Sequence, residues 1–156
     1  MNQNMASYLC FVAQLSHRYA IAQNDRKISF QDDRDFQNFV LAQFLGIHNE
    51  VVFLICLDNT GKLLRCCKVS LGTKHNVHLD NRTLIETALR HGATKVALAH
   101  NHPAGTASPS KQDVELTESV ATAFKVVKIK LVDHLIVTQT DVLSMAGHPK
   151  YMRIFF

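Results

Sequence analysis

Residues 51–57 read Val-Val-Phe-Leu-Ile-Cys-Leu with no polar break, the pattern of a strand buried on both faces inside a sheet. Asp58-Asn59-Thr60-Gly61 supplies turn chemistry, and residues 62–70 predict a second strand folded back as a hairpin. Upstream, Phe36, Phe39, Val40 and Phe44 recur at helical spacing; Asp32 or Asp33 offers the N-cap of that helix and Gly46 its stop. Residues 7–21 mix β-branched and aromatic side chains without helical spacing and read as one or two strands, followed by a polar turn at 24–27.

Downstream of the hairpin, residues 71–77 show no clear period. Asp80 or Asn81 then caps a helix that points Leu84, Ile85, Ala88 and Leu89 inward and stops at Gly92. Residues 95–102 predict a strand, 103–109 a loop punctuated by Pro103, Gly105 and Pro109, and 110–127 a helix. A strand over 128–138, a turn near Asp141 and a last strand-like stretch at 153–156 complete the chain. At 156 residues with 47% hydrophobic composition, the chain reads as one domain with a real core.

No apolar run approaches the ~20 residues that span a bilayer, and the N-terminus has no basic region followed by an apolar one. The expectation is a soluble cytoplasmic protein with no membrane partner. Cys10, Cys56, Cys66 and Cys67 show no C-x-x-C spacing and read as small buried hydrophobes. Strand alternation sends the vicinal Cys66 and Cys67 to opposite faces, which argues against a redox pair. The net charge is +4, but the basic residues are scattered; nucleic-acid binding is permitted and not argued.

Chemistry concentrates in residues 100–113, His-Asn-His-Pro-Ala-Gly-Thr-Ala-Ser-Pro-Ser-Lys-Gln-Asp. In a strand, positions two apart share a face, so Val96, Leu98, His100 and His102 align. In the following helix, Leu116, Val120, Ala123, Phe124 and Val127 form one arc, and Asp113 falls inside it. A carboxylate on a buried face is costly unless it is paired or binds a metal. Taken singly, Ser110 and Asp113 also fit a capping box, and a lone histidine fits a hydrogen-bonded core position. Two histidines aligned with an inward aspartate instead form a zinc donor set, with a fourth tetrahedral position left for water. Zinc lowers the pKa of such a water toward ~7.

A zinc hydrolase also needs a proton carrier, and the glutamates are Glu50, Glu86, Glu115 and Glu118. Glu115 and Glu118 lie on a polar helix face, and Glu86 is spaced for an ion pair with Arg90. Glu50 opens the apolar strand in phase with Val52, Leu54 and Cys56, which marks it as general base; the competing reading is an exposed strand-end charge. Asp133 and His134 read either as a satisfied polar pair at a strand end or as a hydrogen-bond partner behind a zinc-bound imidazole.

An upstream glutamate with His-x-His-Pro-x6-Ser-x-x-Asp resembles the JAMM motif of the JAB/MPN metalloproteases. The strings Leu-Ala-His-Asn-His-Pro-Ala-Gly and Val132-Asp133-His134-Leu135-Ile136, with the hairpin at Leu57-Asp58, are similar more particularly to bacterial RadC proteins. The resemblance runs from about Phe36 to Ser144. It implies an α/β mixed sheet flanked by helices, related to the cytidine-deaminase arrangement, in agreement with the element order above. It also implies one Zn2+ on His100, His102 and Asp113, Glu50 as acid and base, and Ser110 as the hydroxyl that steadies the oxyanion. Full-length RadC proteins resemble a fusion of a helix-hairpin-helix module to this domain; residues 1–30 read as an extension without that module.

These readings favour a zinc metallopeptidase or isopeptidase acting on a peptide or protein substrate. Two others stand beside it: a DNA-repair-associated, nucleic-acid-binding protein, and a JAB scaffold without catalysis.

Overall fold

The computed structural model describes residues 28–156 apart from Ser70, Lys74, His75 and Ala104; for 71–73 and 76–78 it describes the backbone alone. The expected strands at 7–21, the turn at 24–27 and Cys10 lie outside the described residues.

The first helix, α1 (Asp33–Gln43), begins where the Asp32 carboxylate accepts the Asp35 N–H. Asp33 and Asp35 in its first turn complement the positive end of the helix dipole. Gly46, at φ 74°, takes the left-handed conformation past the helix end that a side chain disfavours. The strands β1 (Val52–Leu57) and β2 (Leu63–Lys68) form the expected hairpin. Residues 71–78, which showed no period, hold a two-stranded ribbon, β3 (Leu71–Thr73) with β4 (Asn76–His78).

Next come α2 (Asn81–Arg90), capped by Asp80, then β5 (Lys95–Asn101), α3 (Lys111–Val126), β6 (Lys130–Val137) and β7 (Val142–Ser144). The main sheet has the order β2-β1-β5-β6-β7, antiparallel except for the parallel pair β5 and β6. It is the mixed sheet flanked by helices that the resemblance implied and the element order agreed with.

One face of the sheet packs Ile55, Leu57, Ala97, Ala99 and Leu135 against Val40 and Phe44 of α1. The other packs Leu54, Cys56, Val96, Leu98 and Ile136 against Leu84 and Ala88 of α2 and Val120 and Phe124 of α3. Because β1 and β5 are covered on both faces, their sequences are nearly all apolar. Complete burial of a side chain such as Leu98 or Phe124 contributes about 1.5–3 kcal/mol. Among the described residues no helix is long and apolar enough to cross a membrane.

Two expectations are corrected. Leu89 is exposed rather than inward, because α2 buries only the narrow stripe through Leu84 and Ala88. Residues 153–156 do not form a strand. The turn that starts at His148 continues into a 3-10 helix, Met152–Phe155, which sends Tyr151 and Phe155 into the core beneath α3 and leaves Phe156 exposed.

Cys66 lies opposite Ile55 and Cys67 opposite Leu54, so the two thiols serve opposite faces of the sheet. Burial pushes the Cys56 and Cys66 thiols up to about 12, far from the thiolate form that reacts. In the folded chain at pH 8, site-resolved mass spectrometry should find Cys56 and Cys66 unmodified by a thiol reagent that labels the unfolded chain fully. Rapid labelling of Cys66 in the folded state would contradict this packing.

Candidate metal centre

His100 is the penultimate residue of β5, on the face that Val96 and Leu98 share, toward α3. His102 follows the strand, and its N–H donates to the Val137 carbonyl at 2.8 Å, which carries the β5–β6 ladder one residue further. The Nε2 atoms of the two rings stand 2.8 Å apart. Asp113, in the first turn of α3, brings Oδ1 to 3.2 Å from His100 Nε2 and Oδ2 to 3.4 Å from His102 Nε2. The three residues predicted as ligands are thus one cluster.

Ser110 is the N-cap of α3. Its Oγ accepts the Asp113 N–H at 3.1 Å, and Asp113 Oδ2 accepts the Ser110 N–H at 2.6 Å. The capping box and the ligand cluster, rival readings of the sequence, are satisfied by one carboxylate. Burial alone would raise the Asp113 carboxyl. The hydrogen bond and charge interaction with His100, then the bonds from Ser110, outweigh burial and hold it well below the usual carboxylate range.

The loop after His102 fixes that ring. The Thr106 carbonyl lies 3.0 Å from His102 Nδ1; a carbonyl only accepts, so Nδ1 carries the proton and Nε2 presents a lone pair to the cluster. Gly105 lies against the same side chain, where an added Cβ would come to 3.3 Å of His102 Cβ. Spacings of 2.8–3.4 Å compare with about 3.3 Å between ligand atoms around a tetrahedral zinc bonded at 2.0–2.1 Å. The donor set, its spacing and the bare Nε2 of His102 therefore fit zinc.

Glu50 is not part of the cluster. It is exposed and precedes β1. The register pairs Val52 with His100, so carrying it two residues further sets position 50 opposite position 102. Asn101, between the two histidines, holds the backbone on both sides of Glu50: its Oδ1 accepts the Val51 N–H at 2.8 Å and its Nδ2 donates to the Asn49 carbonyl at 2.9 Å. The sequence reading passed over Asn101; its signal was a polar residue on the face opposite His100 at a position expected to be buried.

The paired reading of Asp133 and His134 splits. His134 is completely buried, with Nε2 at 2.9 Å from His100 Nδ1 and Nδ1 at 2.6 Å from Thr117 Oγ. Burial, and then the neighbouring His100, hold its pKa well below the usual histidine value, so the ring is neutral. Thr117 was also missed, although it lies four residues after Asp113 and so on the same helix face. A bulge aims His134. Val96 pairs with Leu131 but Ala97 with Asp133, so Val132 is an extra residue that turns the next side chains over.

Asp133, by contrast, is a structural clasp. Its Oδ1 accepts the His134 N–H at 2.7 Å and the Ala146 N–H at 2.9 Å, and Oδ2 accepts the Ser144 hydroxyl at 2.6 Å.

A family profile described as RadC-like JAB domain matches residues 30–150. Among similar sequences, a UPF0758 protein of Saccharophagus degradans is 35% identical over 140 residues, 90% of this chain and 62% of that protein. UPF0758 proteins of Tolumonas auensis and Pseudoalteromonas atlantica are 31% and 33% identical, over 86% and 85% of this chain and 60% and 59% of their own lengths. The chain thus spans about three-fifths of the curated relatives it matches.

The clasp separates stability from metal binding. Asp133→Ala orphans two amide donors and should cost about 2–4 kcal/mol in a urea titration, with zinc affinity unchanged in the folded fraction. Burial raises the Asp133 carboxyl against the pull of its hydrogen bonds, so the folded chain binds that proton more tightly than the unfolded one. The group's contribution to stability therefore falls as pH rises from the unfolded value of ~3.9 through the raised folded value. Asp133→Asn should remove that slope. Loss of zinc in folded Asp133→Ala would contradict the assignment.

Proposed function

This chain belongs to the RadC-like JAB domain family, and on that premise we propose that it is a zinc-dependent amide hydrolase acting on peptide or isopeptide bonds of a protein or peptide substrate. The observation that carries the reading is the convergence of two imidazole nitrogens and one carboxylate within 2.8–3.4 Å. Ser110, which caps the helix that carries Asp113, is exposed, and so is Glu50, opposite position 102 by extension of the register, so the cluster has an open side for substrate.

His100, His102 and Asp113 would hold the ion, and three protein ligands leave one tetrahedral position open, as in catalytic rather than structural sites. A bound zinc would supply Lewis acidity there, lowering the pKa of a water toward neutrality and polarising a substrate carbonyl.

Glu50 takes the proton of the attacking water and returns it to the leaving amine. Its exposure lets the carboxylate swing onto a bound substrate, while the Asn101 clamp on Asn49 and Val51 confines the backbone from which it swings. Ser110 Oγ is oriented by the Asp113 amide and keeps its own hydroxyl proton for the oxyanion that develops on the substrate. Asp113 is held ionised by His100 and by the Ser110 bonds, the state in which a carboxylate binds metal.

A panel of fluorogenic peptide and isopeptide substrates, read beside zinc content, tests the scheme. Asp113→Ala and His102→Ala should lose both zinc and turnover. Glu50→Gln should keep about one zinc per chain and lose at least ~100-fold in turnover. Asn101→Ala should keep zinc and lose about tenfold or more, since displacing a catalytic group by ~1 Å has that order of effect. Full turnover in Glu50→Gln, or zinc retained in Asp113→Ala, would sink the proposal.

A further inference from the structure

Thr117 on α3 and His134 on β6 are both fully buried, and burying a hydroxyl and an imidazole costs free energy unless both are hydrogen-bonded. Their bonds form a chain whose direction is dictated at one end. Thr117 Oγ lies 2.5 Å from the Asp113 main-chain carbonyl, which only accepts, so the hydroxyl proton points there. The hydroxyl oxygen then accepts Nδ1–H of His134 at 2.6 Å. That leaves Nε2 of the neutral His134 ring to accept Nδ1–H of His100 at 2.9 Å.

The last consequence is that the His100 proton on Nδ1 is engaged by His134, which leaves Nε2, the atom that stands 3.2 Å from Asp113 Oδ1, as the nitrogen facing the cluster. Asp113 thus closes a ring through its own residue. Its carbonyl sets the first bond, and its carboxylate faces the nitrogen of the ring that the last bond orients. His102 has its own Nδ1 proton held by a separate route, through the Thr106 carbonyl.

We propose that Thr117 and His134 are positioning residues whose relay holds the proton of His100 on Nδ1 and so turns its Nε2 to the metal site. The placement of the Nδ1 proton concerns the metal-free chain; its effect on metal binding rests on the zinc reading above. Histidine ligands are oriented in this way by partners on the far ring nitrogen, and loss of such a partner typically costs 10–100-fold in metal affinity.

Long-range proton–nitrogen correlation spectra of the histidine rings in the metal-free full chain read the tautomer directly. Wild type should show His100 protonated on Nδ1. Thr117→Val keeps the branched shape but removes the hydroxyl; it should disturb that pattern and lower zinc affinity about 10–100-fold in chelator competition, and Thr117→Ser should restore both. A purely structural threonine would change the unfolding midpoint without moving the ring-nitrogen shifts.

Wild-type His100 without a proton on Nδ1 would overturn the proposal, and this spectrum decides even where a variant does not fold. So would a folded Thr117→Val with wild-type shifts and zinc affinity. A wild-type chain that shows the Nδ1–H tautomer yet takes up no zinc supports the relay and overturns the zinc reading instead.

Discussion

Two imidazole nitrogens 2.8 Å apart, with a carboxylate 3.2–3.4 Å away, concentrate lone pairs in a volume that favours a cation. Such an arrangement does not persist on flexible loops. Here each donor is fastened by its own structure: His100 by the His134–Thr117 chain, His102 by the Thr106 carbonyl, and Asp113 by the capping box. Rigid support of this kind is what a metal site requires of its ligands.

The core and the site depend on the same elements. β5 is paired on both sides, with β1 and β6, and α3 lies across it through Val120 and Phe124. The stripe that buries those residues continues through Thr117 to Asp113, so seating the helix also seats Asp113 against the two histidines. The bulge at Val132 leaves Leu131 in the core beneath α3 and brings His134 to the same face. Asp133, displaced by the bulge, ties β6 to the chain after β7.

The clustering of His100, His102 and Asp113 was legible because periodicity alone fixes direction: strand alternation aligned His100 with Leu98, and helix phase turned Asp113 inward. The hairpin around Asp58 and the caps at Asp32, Asp80 and Ser110 were legible for the same local reasons. Thr117 was hidden because a threonine in an apolar helix stripe reads as a modest hydrophobe, and only the His134 contact reveals its hydroxyl. The facing of His134 was hidden by the bulge, which breaks the alternation by which a strand is read. β3 and β4 are three residues each, too short for a period to register. The 3-10 turn at Met152–Phe155 is set by hydrogen bonds back to His148 and by aromatic packing that no local pattern announces.

X-ray absorption at the zinc edge of the wild-type chain, loaded with one equivalent of zinc, tests the central claim most directly. The account predicts about four light scatterers at ~2.0–2.1 Å, imidazole signatures and no sulfur, with one light ligand exchangeable for an added anion. A shell containing sulfur near ~2.3 Å, or a wild-type chain that takes up no zinc, would contradict it.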